Sequence, residues 1–199
     1  MNPYIDISAV ELITDRLTLR PWRESDLSDF YEYASMDGVG QMAGWIPHRN
    51  VAESRKILEH FIRQKCVFAV EYQGKVIGSV GVDAYNEEAY PELAPYYGRE
   101  IGYVLSKAYW GKGLMPEAVR AVCGYLFCKA GLDFLLVGHF DWNTRSRRVI
   151  EKCGFTYIRT IKYETRYETV ENSMEYIRYH PGNCKIRKLF PEMKQEAGV

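Results

Sequence analysis

Three small groups of residues in this 199-residue chain have the types and spacing for chemistry. The first is Tyr109-Trp110-Gly111-Lys112-Gly113-Leu114, between an apolar strand signal and an apolar helix signal. Two glycines one residue apart let backbone approach a ligand closely. First-turn N–H groups lack intrahelical partners and sit at the positive end of the helix dipole, so the combination suits phosphate oxygens. Pro116 and Glu117 favour a helix start here. A capped strand-to-helix turn without any ligand would use the same residues. Spacing excludes two familiar phosphate loops. A dinucleotide fingerprint needs glycine at position 116, where Pro116 stands, and a Walker loop needs Gly-Lys followed by Ser or Thr, whereas Gly113 follows Lys112.

Asn143 and Ser146 form the second group, three apart at the start of a predicted helix whose apolar face continues through Val149, Ile150 and Cys153. An amide and a hydroxyl there can face a cleft; equally, Asn143 is a favoured N-cap and Ser146 a small residue at a tight contact. The third is Glu100, on one strand face with Gly102 and Val104. A carboxylate there can take up a proton or attract a cationic amine, or it is a strand charge beside Arg99. Arg145, Arg147, Arg148 and Lys152 make a basic cluster that reads as a solvated face or as an anchor for phosphate. The histidines His48, His60, His139 and His180 lack metal-ligand spacing, so no metal is expected.

Strands over 12–20, 67–72, 75–83, 99–105, 134–140, 155–162 and 173–180, with helices over 24–35, 51–65, 114–130 and 144–153, would position these groups. Gln73 and Gly74 suit a tight hairpin, whereas the later strand and helix signals alternate, which implies βαβ units. The expected fold is α/β (α+β): one domain over 1–180, a mixed sheet of about seven strands with helices on both faces, and a polar tail over 181–199. Lys and Arg number 26 against 26 Asp and Glu, a net charge of zero that argues against a nucleic-acid partner. Five cysteines without a Cys-x-x-Cys pair fit reduced thiols in a cytoplasmic protein. No signal-like or membrane-spanning apolar run is evident, so no membrane partner is expected.

Asp15-Arg16-Leu17-Thr18-Leu19-Arg20, Glu100-Ile101-Gly102-Tyr103-Val104-Leu105, Trp110-Gly111-Lys112-Gly113, Asn143-Thr144-Arg145-Ser146 and Glu151-Lys152-Cys153-Gly154-Phe155 occur in that order. In this the chain resembles the GNAT acyl-CoA N-acetyltransferases, in particular the RimJ/RimL-like branch that acetylates ribosomal-protein amino termini. The resemblance implies acetyl-CoA as cofactor. Its pyrophosphate would lie on the loop from Trp110 through Gly111, Lys112, Gly113 and Leu114 to Met115, and its pantetheine arm along Tyr103, Val104 and Leu105. Asn143 would lie near the sulfur, with Ser146 as thiolate partner, and Arg148 would be available to the adenosine phosphate. Two departures stand out. Ala108 replaces the usual Gln or Arg ahead of the loop, and Ile150 occupies the position where many such enzymes carry a proton-donating Tyr.

Acetyl transfer to an amine needs a neutral nitrogen, oxyanion stabilisation and a hydrogen bond for the departing thiolate. Glu100 is the expected base, with Ser146 and Asn143 as the other catalytic candidates. Aromatics make up 14% of the chain. Trp45 and Met42 in a Gly-rich loop, and Tyr85 with Tyr90, Tyr96 and Tyr97 in a long hairpin loop, are candidates to line the acceptor cleft or to pack beneath it. The acceptor is a protein N-terminus or a small amine, and a homodimer is plausible. The alternatives are a non-catalytic acyl-CoA-binding module and a nucleotide-binding loop without acyl chemistry.

Overall fold

The computed structural model describes residues 1–190. Its strands are Leu12–Ile13 (β1), Leu17–Pro21 (β2), Val67–Tyr72 (β3), Lys75–Asp83 (β4), Gly98–Leu105 (β5), Phe134–Phe140 (β6), Thr156–Glu164 (β7) and Val170–Tyr179 (β8). The helices are Leu27–Ala34 (α1), Val51–Gln64 (α2), Leu114–Cys128 (α3), Thr144–Lys152 (α4) and Cys184–Leu189 (α5). The eight strands form one mixed sheet in the order β1-β2-β3-β4-β5-β6-β8-β7. Among the described strands, only β5 and β6 pair in parallel, joined through α3.

Eight strands rather than about seven arise because 12–20 breaks into a hairpin. Polar Thr14-Asp15-Arg16 turns the chain, with the Thr14 N–H donating to the Leu17 carbonyl at 2.9 Å. Gln73 (φ 52°) and Gly74 (φ 78°) close the β3–β4 hairpin in the left-handed region such a two-residue turn requires. Segment 181–190, expected as tail, carries α5, whose Ile186 is buried with Phe134 and Leu136. Residues 191–199 lie outside the described part.

Alternation splits the sheet into two faces. On one, Phe68, Val70, Val80, Ile101, Leu135 and Val137 pack against α3 and α4. Nine of the fifteen α3 residues are buried, so the helix is central rather than peripheral. On the other face, Ala69 and Val76 pack against α1 and α2, and Phe134 and Leu136 pack separately beneath segment 84–97. Arg20 and Asp26, both nearly buried, pair at 2.8 Å, and Glu71 accepts from the Arg20 Nε at 2.7 Å. This network ties β2 to β3 and to the entry of α1. No described helix is long and apolar enough to cross a membrane.

Candidate active site

The site begins where the sheet opens. β5 pairs with β6 only from Gly98↔Phe134 to Glu100↔Leu136, yet it continues beside β4 to Leu105, while β6 continues beside β8 to Phe140. From Ile101 to Leu105, one edge of β5 therefore faces no strand among the described residues. Backbone donors and acceptors on such an edge need another partner. A cleft of about 320 Å³ lies there, lined by Tyr103, Val104 and Leu105, by Gly111, Gly113, Leu114 and Met115, and by Asn143 and Ser146 across the gap.

Local chemistry shapes the Gly-rich loop. Gly111 (φ 77°) and Gly113 (φ 75°) are left-handed, and Gly113 is the N-cap of α3 with no capping side chain. The first-turn N–H groups are thus left for a ligand. Arg16 braces the loop from outside, donating to the Lys112 carbonyl at 2.9 Å and to Glu117 in the first turn of α3 at 2.7 Å. Glu117 also accepts from Thr14 at 2.6 Å. The Trp110 indole donates to the Leu105 carbonyl at 2.7 Å, which binds the loop to the open strand.

Cations gather at the cleft. Arg145, Arg148 and Lys152 line it, and the Arg145 guanidinium stacks 4.9 Å from the Trp110 ring centre. Arg147 instead pairs with Glu151 at 2.7 Å on the outer face. The Lys112 ammonium lies 5.0 Å from the centre of the Tyr109 ring, a ring that borders the cleft, and Lys112 itself is not among the residues that line it. Arg145, Arg148 and Lys152 thus border the cleft while remaining exposed to solvent.

Asn143 both caps and connects. Its Oδ1 accepts from the Ser146 N–H at 3.1 Å, and its Nδ2 donates to the Met42 carbonyl at 3.1 Å. Ser146 meets Tyr103 from across the gap, with their hydroxyl oxygens 2.8 Å apart and the Tyr103 hydroxyl 3.1 Å from the Ser146 carbonyl. Burial raises the Tyr103 pKa well above that of an ordinary phenol, so it stays protonated. Ile150 is core.

On the opposite face, the two apolar clusters are separated by a polar, glycine-rich strip. Strand register places Gly81 and Asp83 of β4, Glu100 and Gly102 of β5, Gly138 of β6, and Ser173 and Glu175 of β8 side by side on that face. Burial, then the negative charges of Glu175 and Asp83, push the Glu100 carboxyl up to about 7. Burial also raises Asp83. Glu175 is held by Ser173 at 2.6 Å and by the Tyr90 hydroxyl at 3.3 Å. A side chain added at Gly102 would meet nothing within 4 Å, so the strip opens between Glu100 and Val104. The turn joining β7 to β8 reaches the Gly-rich loop beside it: the Arg166 N–H donates to the Gly44 carbonyl at 2.9 Å and the Tyr167 hydroxyl to the Gln41 carbonyl at 3.4 Å.

The acceptor-side expectations divide. Met42 lines the cleft. Trp45 does not; its ring lies over Gly40, where an added Cβ would come within 2.3 Å, and against His48 at 5.2 Å. Tyr85 is corrected to a core residue. Its ring packs 5.2 Å from Phe134, and its hydroxyl accepts from the Met1 ammonium at 2.7 Å. The reason is that 84–97 folds into two short 3-10 turns over the far end of the sheet. Tyr90, one of the loop tyrosines expected at the cleft or beneath it, packs in the core with its hydroxyl on Glu175. Asp83, Glu175 and the β7–β8 turn were missed, because none of them is near Glu100 or Met42 in sequence.

Comparison with known proteins agrees with this geometry. The family described as the acetyltransferase (GNAT) domain matches residues 16–156. YjcK of Bacillus subtilis, described as a probable N-acetyltransferase, is 49% identical over 55 residues, 28% of this chain and 30% of YjcK, so that match spans about a third of the relative. N-acetyltransferase p20 of Bacillus licheniformis, itself uncharacterized, is 27% identical over 152 residues, covering 72% of this chain and 81% of p20. A GNAT acetyltransferase from Bacillus anthracis has the same fold, with a TM-score of 0.72, 22% identity and coverage of 86% and 99%. Strand opening, glycine loop and family match converge: the chain belongs to the GNAT acetyltransferases, enzymes that use acetyl-CoA.

Proposed function

We propose that this protein acetylates a primary amine by direct attack within a ternary complex with acetyl-CoA. The observation that carries the reading is the meeting of two half-sites on β5. One is a cleft with a glycine-lined helix start and three cations; the other is a strip where Glu100 titrates near 7. The residues fit the cofactor. The unpaired edge from Tyr103 to Leu105 suits its pantetheine amides, the Gly111–Met115 turn its pyrophosphate, and Arg145, Arg148 and Lys152 its remaining phosphate. When bound, acetyl-CoA supplies an acetyl group activated as a thioester.

The chain's own residues do the rest. Gly102 leaves room for the acceptor beside Glu100, whose carboxylate takes a proton from the incoming ammonium; a base poised near neutrality suits that task. Asp83 and Glu175 add negative charge that favours a cationic acceptor. Ser146 offers a hydroxyl to the departing sulfur, and Asn143 fixes the helix start that carries it. Met42 borders the acceptor route. The RimJ/RimL-like order of motifs supports a peptide amino terminus, and the same strip accommodates a small amine.

Calorimetric titration with acetyl-CoA, followed by thiol release over a panel of peptide amino termini, polyamines and small amines, tests the reading. Binding together with acceptor-dependent thiol release is expected; no binding at millimolar acetyl-CoA refutes it. The buried Ile150, where a proton-donating Tyr would otherwise stand, favours a second reading as a non-catalytic acyl-CoA-binding module. Tight binding without turnover on any amine would select that one.

A further inference from the structure

We infer that Tyr103 is a positioning residue whose phenol aims the Ser146 hydroxyl at the departing sulfur. The inference rests on the acetyl-transfer reading above. Of the α4 residues that line the cleft, Ser146 is the one with a hydroxyl, and position 150 offers only a buried alkyl chain. A serine hydroxyl has one proton and two acceptor positions and rotates to suit its neighbours. Unaided, it would spend that proton on a nearby backbone carbonyl.

Tyr103 reaches Ser146 from β5, the strand on the other side of the opening, and the geometry allows two arrangements. In one, the phenol donates to the Ser146 carbonyl at 3.1 Å and receives the Ser146 proton at 2.8 Å, so nothing points at the sulfur. In the other, the phenol donates to the Ser146 Oγ and the Ser146 proton is free to face the cleft. Negative charge growing on the sulfur selects the second arrangement, and the two hydrogen bonds then polarise each other. A phenol kept protonated by burial can hold this role across the working pH range.

Neither hydroxyl gives up its proton in the overall reaction. As the C–N bond forms, the C–S bond breaks and its electron pair leaves on sulfur. Of the two protons lost by the ammonium, one passes through Glu100 to solvent and the other ends on the thiol. Tyr103 and Ser146 stabilise the charge in between.

The test compares wild type with Tyr103→Phe, Ser146→Ala and the double variant. It measures steady-state kinetics and the pKa of enzyme-bound coenzyme A, read from the ultraviolet absorbance of its thiolate. A hydrogen bond to a charged group predicts about a 10–100-fold loss in kcat for each single variant. The KM for acetyl-CoA should hold within about twofold. The bound thiol pKa should rise by roughly one in both single variants. The double variant should be no slower than the worse single, because the two hydroxyls act as one unit. Wild-type kcat with an unmoved thiol titration in Tyr103→Phe overturns the inference while the acetyl-transfer reading stands. Additive losses overturn it as well, whereas a wild type that neither binds acetyl-CoA nor turns over brings down both. If Tyr103→Phe loses the fold, 3-fluorotyrosine at position 103 decides: a stronger donor of nearly the same shape must lower the bound thiol pKa, and no change refutes the role.

Discussion

Replacing Glu100 by Gln should make the protein more stable and far less active, by amounts that depend on pH in a definite way. The folded protein holds this carboxyl at about 7 against an ordinary 4.5. At about 1.36 kcal/mol per pH unit, that interval corresponds to roughly 3 kcal/mol of destabilisation once the group is ionised. The fold favours the protonated form, so stability from this group is complete below pH 4.5 and is lost as pH rises towards 7. Glutamine keeps the shape without the charge. The variant and the wild type should therefore differ little in their pH-dependent stability at pH 4, diverge between 4.5 and 7, and level off above. Glu100 is only partly buried, and water relieves some of the cost, so about 1.5–3 kcal/mol at pH 8 is expected. Urea denaturation followed by circular dichroism at several pH values reads this directly. In parallel, kcat should fall by about 10²–10⁴, and the acid limb of the rate profile near 7 should vanish. A stability difference that is flat with pH, or an acid limb that survives in Glu100→Gln, would refute the assignment of both the strain and the base to Glu100.

Neutralising a neighbour tests the same electrostatics: Glu175→Gln should move the acid limb of the rate profile to lower pH, measured as kcat/KM against pH. Gly113→Ala places a Cβ at φ 75°, which costs about 1–2 kcal/mol of backbone strain and should weaken acetyl-CoA binding roughly tenfold by calorimetry. Glu117→Ala removes the brace between Arg16 and α3, so acetyl-CoA affinity should fall several-fold while kcat at saturation holds. Arg148→Ala should weaken acetyl-CoA binding more at low than at high salt. Asp26→Ala leaves the buried Arg20 with Glu71 as its remaining carboxylate and should lower unfolding stability by about 2–3 kcal/mol in urea titrations.

What could be read from the sequence was chemistry confined to a few consecutive residues. The Gln73-Gly74 hairpin and the two loop glycines were legible because positive φ is a local demand that glycine meets at little cost. Asn143 was legible as a cap for the same reason, and its side chain does accept from Ser146. The aromatic residues were not legible. A tyrosine in a long loop can cover a core or line a cleft, and Tyr85 covers a core because 84–97 folds back over Phe134. Trp45 is held by Gly40 and His48, neither of which marks it in sequence as a packing residue.

The sequence by itself determined the alternation of strands and helices, the glycine turn at the start of α3, and the family motifs in their order, since each depends on residues within one or two helical turns or strand lengths. Tertiary structure alone decided where β5 parts from β6, that three cations of α4 border the opening, and that Tyr103 meets Ser146 across 43 residues. It also decided the proton affinity of Glu100. That value comes from burial and from Glu175 and Asp83, carboxylates that only strand register brings alongside. Register and desolvation are properties of the assembled sheet, and no local stretch of chain encodes them.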